Sequence, residues 1–527
     1  MKVAAKLAAG RREFEMAAIE GYAAELVSCG HRMQILYATA DEMRVTRLKA
    51  YEHIFKQQQA DGQIDKNAIF DKSVVDLSDI HDGELYYAGF IFSCSAAEAM
   101  ATRCRLFSYA DASHMLSTKG LSSGTYFEVT VADQDGRLYP IVSGHSMGNE
   151  NEAFWRKIFD FAKAVPNFDR QDRVVAVDME KGIAAAFEAC FDHAEIFLDQ
   201  NHVIKNMMNK LPNNEKEDAK SKFLRAVKAP TKDRADQVIR SFGPVMGQYL
   251  ARFPKKNWVR AYSQIQEMTE TSSHGAEASM NTALRNGIRN FEPLAMIKGC
   301  ADFAKTKFYA MKDAANKWSG VVPPSVQEHI GKHIEKAEVY RGEVEAVPGS
   351  HMYEYNVECS DGPKRVVLSP TMTQTPPVCC DYSQMGNGFP CLHSIAVIME
   401  KHGRESVFEF IDERYLTQAW KNTYVGIEVR TPAQHSIDAV MRAAKDKVLS
   451  GQHLLGPKAL APPRGRPVKN AGMRRKSYYE RASGSRDARS YRCRLCLKAG
   501  HTRSTCKNRQ GEEPDPGRGQ SNATSGI

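Results

Sequence analysis

"LFSYADASHM", residues 106–115, and "DRVVAVDM", residues 172–179, decide how this chain folds. Each is an apolar or aromatic run that stops at a carboxylate, Asp111 in the first and Asp178 in the second. Short runs of this kind read as buried strands. Asp111 and Ser113 are also ordinary turn formers, so an aspartate at a strand's end has a bland reading as the start of a turn. The other reading is a metal ligand, and it requires partner carboxylates elsewhere in the chain.

The flanking sequence supplies a mixed α/β plan. "ELYYAGFIF" (84–92), "CRLFSYAD" (104–111), "GTYFEVTVADQDG" (124–136) and "RLYPIVSGHS" (137–146) are aromatic and β-branched, with "DQDG" as a hairpin turn between the last two. "NENEAFWRKIFDFAKAV" (149–165) returns to helical spacing, "DRVVAVDM" is a strand, "KGIAAAFEACF" (181–191) a helix and "AEIFLD" (194–199) a further strand. Strands that alternate with helices in this way point to an α/β sheet. Upstream, residues 13–60 read as helices, from apolar residues at three- and four-residue intervals. Residues 201–320 read as mainly helical, 338–398 as a second β-containing region, and helices continue to about 450.

In such a sheet, residues just beyond strand ends are where ligands bind. Two carboxylates at neighbouring strand ends can share divalent cations, and Mg²⁺ prefers hard oxygen ligands. Two such ions about 3.5–4 Å apart serve an in-line displacement at phosphorus. A third carboxylate usually completes the set, and "SSHGAEASMNTALRNGIRN" (272–290) offers Glu277, with Asn281 one turn later. Spacing alone is weak support for this trio, because the 63 acidic residues allow many accidental ones.

Longer motifs sharpen the reading. "FSYADASHM…KGLSSGTYFEVTVADQDGRLYPIVSGHSMGNENEAFWRKIF" resembles the catalytic-domain opening of Mutator-like element (MULE) transposases, including Glu150 followed by Trp155. "AVDMEKGIAAAFEACFDHAEIFLDQNHVIKNM" resembles that family's second-aspartate segment, and "NWVRAYSQIQEMTETSSHGAEASMN" its third-acid segment. The resemblance spans about residues 85–400 with the motifs in the family's order. It implies an RNase H-like fold carrying a DDE triad of Asp111, Asp178 and Glu277 around Mg²⁺ or Mn²⁺. Two positions depart from the pattern. The cysteine of the family's Cys-x-x-His pair is Asp199 here, ahead of His202, and Asn281 lies one residue further from Glu277 than is usual, which leaves Glu270 as the fallback. His114 either orients a phosphate or packs locally.

Of 12 cysteines, six fall in two late clusters, which points to metal rather than disulfides. "CCDYSQMGNGFPCLHSIAVIM" (379–399) carries Cys391-x-His393 at the start of an apolar helix, two ligands for a tetrahedral zinc site. It resembles the SWIM zinc finger, with Cys379 and Cys380 for the first half. Those cysteines are adjacent, and Val378 stands where the first ligand belongs. Both cysteines bind in one alternative; in another, Cys380 binds with Cys359 or water completing the set. A metal-free remnant is the bland reading. "CRLCLKAGHTRSTC" gives Cys493, Cys496, His501 and Cys506 in the C-x2-C-x4-H-x4-C spacing of a zinc knuckle, a unit too small to fold without its ion.

The net charge of +9 is concentrated between Lys458 and Arg509, where only Glu480 and Asp487 oppose many Lys and Arg. That bias favours nucleic acid. Arg464-Gly-Arg466-Pro resembles an AT-hook core, suited to a narrow A·T minor groove, and equally reads as a solvated basic linker or import signal. No run approaches the ~18 apolar residues of a membrane span, and the first 20 residues make no convincing signal peptide. The chain reads as intracellular.

The expected organisation is therefore a helical N-terminal region (1–84), an RNase H-like DDE domain (85–320) with a helical insertion at about 201–265, and a SWIM-like zinc region (338–400). A helical region (401–455), a basic linker (456–490), a zinc knuckle (491–509) and a disordered tail (510–527) follow. The resemblance implies a nuclear transposase acting on transposon terminal inverted repeats and target DNA, with the insertion bearing on DNA or on a second copy in a homo-oligomer. The alternatives are a domesticated DNA-binding regulator without catalysis and an RNA-binding structural protein.

Overall fold

The structure, a computed structural model, describes residues 16–60, 62–78, 80–114, 124–147, 151–171, 173–178, 182–229, 231–263, 293–348, 353–359, 362–368, 377–379 and 388–450. Residues 16–28 are helical (α1) and lead into β1 (Arg32–Thr39), α2 (Ala40–Ala60), β2 (Leu85–Ser93), α3 (Ala97–Arg103) and β3 (Phe107–His114). β4 (Thr125–Ala132), β5 (Leu138–Ser146), α4 (Glu152–Lys163), β6 (Val174–Val177), α5 (Ile183–Cys190) and β7 (Glu195–Leu198) follow. The seven strands form one sheet in the order β1-β2-β5-β4-β3-β6-β7. β3 pairs antiparallel with β4 and parallel with β6, and β6 pairs parallel with β7.

Why these segments are strands follows from their burial. Every residue of β4 and of the "VVAV" run in β6 is buried, as expected where both faces of a sheet are covered. The "DQDG" hairpin joins β4 to β5 as the sequence predicts, with Gly136 at φ 77° supplying the left-handed turn. β1 corrects the helical reading of residues 13–60. "RMQILYAT" pairs antiparallel with β2 from Arg32↔Ser93 to Thr39↔Leu85, so the stretch belongs to the main sheet.

The two parallel crossovers run through helices that cover the sheet. Asn151 caps α4 by accepting the Phe154 N–H at 2.9 Å. The helix buries Phe154, Trp155, Ile158 and Phe159. Trp155 stacks on Phe159 with ring centroids 5.5 Å apart; burying such a side chain contributes roughly 2–3 kcal/mol. Gly182 starts α5 at φ 75°, where a Cβ would lie 2.7 Å from the Glu152 N, so only glycine fits this position.

Helices α6 (Gln200–Met208), α7 (Lys216–Val227), α8 (Lys232–Arg240) and α9 (Pro244–Leu250) come next. α10 (Pro293–Lys317) buries Met296, Ile297, Cys300, Phe303 and Phe308 in the same core as the main sheet. A second core lies between α11 (Pro324–Ala337) and a small antiparallel sheet of β8 (Val344–Ala346), β9 (Glu354–Val357), β10 (Lys364–Val367) and β11 (Val378–Cys379). α11 contributes Val326, Ile330 and Ile334, a four-residue spacing that puts all three on one face. α12 (Leu392–His402) packs into this core, and α13 (Thr417–Thr423) and α14 (Gln434–Leu449) complete the described chain. No helix among the described residues is long and apolar enough to cross a membrane.

Candidate metal centres

β3, β6 and β7 lie side by side in parallel, with Ala110 opposite Val177 and Val177 opposite Leu198. The next residue of each strand is an aspartate: Asp111, Asp178 and Asp199. Three carboxylates thus leave neighbouring strands at one level, on strands about 4.8 Å apart. This is the carboxyl end of the parallel strands, where α/β sheets bind ligands.

The three are held differently. Asp111 Oδ1 accepts the Ala112 N–H at 2.7 Å. Burial pushes the Asp111 carboxyl up to about 7, with Asp178 and Asp199 adding to the rise and His202 and the Ala112 N–H opposing it. Asp178 Oδ1 is buried and has no hydrogen-bond partner among the described residues. Asp199 caps α6, its Oδ1 accepting the N–H groups of Asn201 at 2.8 Å and His202 at 3.3 Å. Its Oδ2 lies 2.6 Å from His202 Nδ1. That bond to Asp199 outweighs burial and, with Asp178, Asp199 and Asp111 nearby, raises His202 to about 9. His202 is therefore an imidazolium at neutral pH.

An orphaned carboxylate oxygen, a carboxyl that resists ionisation and oxygen donors from three strands describe a site short of positive charge. Among the described residues, no three ligand atoms of these acids and His202 lie within 4.8 Å of one another, as those of Cys379, Cys391 and His393 do. Glu128 lies opposite Asp111 in the β3–β4 register but is committed elsewhere: it is fully buried, and its Oε1 accepts the Tyr126 O–H at 2.7 Å.

Of the residues singled out from sequence, Asp111 and Asp178 follow the paired residues Ala110 and Val177 on adjacent parallel strands. Glu277, Glu270, Asn281 and Glu150 lie outside the described residues, and His114 ends β3. Trp155 is a core residue. Asp199, read from the sequence only as a departure ahead of His202, is the third carboxylate of the row. The signal was present, because "AEIFLD" is a third apolar run ending in aspartate.

A second group sits in the small core. Cys379 on β11 and Cys391 and His393 at the start of α12 are all buried, with their ligand atoms within 4.8 Å of one another. Together they could hold a metal ion. Cys379 Sγ lies 3.8 Å from His393 Nδ1. Cys391 caps α12 by accepting the Ser394 N–H at 3.3 Å, and hydrogen bonding, led by Cys379, holds its thiol well below the usual range despite burial. Cys359 is half-buried, with its thiol 3.5 Å from the Val357 carbonyl, and does not belong to the group. Cys380, the knuckle residues Cys493, Cys496, His501 and Cys506, and Arg464 and Arg466 lie outside the described residues. Comparison with known proteins finds no matching family model and no significant match among curated proteins.

Proposed function

We propose that this chain is a DDE-type DNA transposase of the Mutator-like kind, with an RNase H-like catalytic domain built on the seven-stranded sheet. The observation that carries the reading is the row of Asp111, Asp178 and Asp199 at one level of the sheet, Asp111 within β3 and the others just beyond β6 and β7, with Asp178 Oδ1 buried and unpartnered among the described residues. Two further features support it. Three antiparallel strands (β5, β4, β3) are extended by two parallel ones in that domain, and the motifs around both aspartates resemble the family's in order.

Asp111 and Asp178 would hold divalent ions, Mg²⁺ or Mn²⁺, with Glu277 as the third acid of the triad. Such ions, when bound, activate an attacking oxygen and stabilise the leaving one at phosphorus. The protein's own part is positional. Asp178 presents an oxygen with no competing donor, and the bond of Asp111 to its own chain fixes its carboxylate plane. Asp199 holds the His202 imidazolium beside the acids, where it offsets their charge and can donate to a phosphate oxygen. For the second centre, two thiolates and an imidazole favour zinc over harder cations. Cys379, Cys391 and His393 would hold it in a SWIM-like finger, and the C-terminal Cys493-Cys496-His501-Cys506 knuckle would bind another. DNA is the implied partner and the nucleus the implied compartment.

The test is Mg²⁺- or Mn²⁺-dependent strand cleavage and transfer on DNA carrying the element's terminal inverted repeats. Asp111→Ala and Asp178→Ala should each abolish it, a loss of about a thousandfold or more. Wild-type protein that binds those ends yet cuts nothing with either metal would favour the regulator reading, which the Asp199 departure makes the leading rival.

A further inference from the structure

The helices that follow Asp199 are strongly basic. Residues 200–263 carry 14 Lys and Arg against five Asp and Glu, a net +9. Their apolar side chains turn inward: Phe223 stacks on Trp258 with ring centroids 5.8 Å apart, and Ala219, Ala226, Ala235 and Val238 are buried. Among the described residues of this stretch, Val245 is the one large apolar side chain left exposed. The outer surface is left to charge.

Few of those charges are neutralised within the stretch. Lys222 pairs with Asp218 and Lys255 with Asp236, each at 2.7 Å. Arg260 is half-buried and has contacts of its own. Lys210, Lys220, Arg225, Lys228, Arg252 and Lys256 are exposed, and none forms an ion pair among the described residues. Two of these cationic heads are held in place. Lys210 Nζ and Arg252 Cζ lie 5.8 and 4.6 Å from the centroid of the Tyr249 ring, and Arg252 Nε donates to the Tyr249 carbonyl at 3.1 Å. The Nη groups of Arg252 make no hydrogen bond among the described residues. A guanidinium fork fixed in this way matches phosphate oxygens, and little side-chain freedom is lost on binding.

We propose that these helices form a DNA-backbone surface, in which Lys210, Arg252 and Lys256 contact phosphates of duplex DNA while the cations of α7 and α8 supply the surrounding positive field. Such contacts position a duplex without reading its bases. A second copy of the chain is the poorer occupant, because a two-fold interface brings the same patch together from both sides and would set like charge on like. An apolar partner finds little to bury here. The choice of duplex DNA among polyanions rests on the function proposed above.

Lysine acetylation of the full chain, read by peptide mass spectrometry, reports each position separately from the basic C-terminal sequence. A duplex of about 30 base pairs and arbitrary sequence should slow acetylation about fivefold or more at Lys210 and Lys256 and leave exposed Lys445 unchanged. In the full chain, Lys210→Gln with Lys256→Gln should raise the Kd for that duplex about tenfold and lower the slope of log K against log salt by about two, with melting unchanged. Protection no greater than at Lys445, or a wild-type Kd and slope in the double variant, overturns the proposal. So does stronger protection by the RNA duplex of the same sequence, or protection that appears without nucleic acid as the protein is concentrated, which would assign a second copy. None of these readouts needs cleavage: their failure leaves the catalytic reading standing, and a chain that binds here yet cuts nothing leaves this surface standing.

Discussion

His202 Nδ1 lies 2.6 Å from Asp199 Oδ2, and the same carboxylate caps the helix that carries His202. The pair thus fixes an imidazolium to the sheet end where Asp111 and Asp178 emerge. His202 has a folded pKa raised from 6.5 to about 9. Such a group contributes stability fully below pH 6.5, and that contribution is lost as pH rises from 6.5 through 9. Ring ¹⁵N NMR on chelator-treated protein should show His202 titrating near 9. In Asp199→Asn the midpoint should fall, since the largest cause of the rise is removed. A wild-type midpoint near 6.5 would refute the pairing.

Asp111 runs the other way in consequence. Its carboxyl is raised from 3.8 to about 7, so metal-free protein is penalised increasingly as pH climbs from 4 to 7. Asp111→Asn should melt higher than wild type at pH 7.5 without metal, by roughly 1–3 kcal/mol after allowing for partial exposure. Mg²⁺ should raise the melting temperature of wild type and not of the variant. Equal Mg²⁺ responses in both would remove Asp111 from the metal site.

Cys379 on β11 meets Cys391 and His393 at the start of α12, close enough to share a metal ion. Cys391→Ser should lower bound zinc by about one equivalent per chain, measured by plasma mass spectrometry, and make the segment around α12 more sensitive to protease. Unchanged zinc content in both Cys391→Ser and Cys379→Ser would mean that the cluster is a metal-free thiol pocket.

Asp133 is a structural acid. Its Oδ2 accepts the Trp420 indole N–H at 2.7 Å and the Tyr424 O–H at 2.6 Å, pinning α13 to the β4–β5 hairpin. All three side chains are buried. Asp133→Ala leaves two buried donors unsatisfied and should cost about 2–5 kcal/mol in denaturant unfolding. Asp133→Asn keeps an acceptor and should cost clearly less. Equal losses would show that packing, not these bonds, sets the effect.

Much of the sheet was legible because its strands announce themselves. "VVAV" can only be buried on both faces, and "DQDG" carries its own turn. β1 was not legible: "RMQILYAT" lies between two helical stretches, and only pairing with β2 makes it a strand. The cysteine–histidine group shows the same divide. The sequence offered Cys379 and Cys380 alike; the structure draws Cys379 together with Cys391 and His393, and Cys380 lies outside the described residues.

The chain alone determined where aspartates end apolar runs, because that pattern is local and written residue by residue. Which strands become neighbours is a matter of long-range pairing. Only that pairing brought Asp199 into one row with Asp111 and Asp178, where it caps a helix and holds a charged histidine.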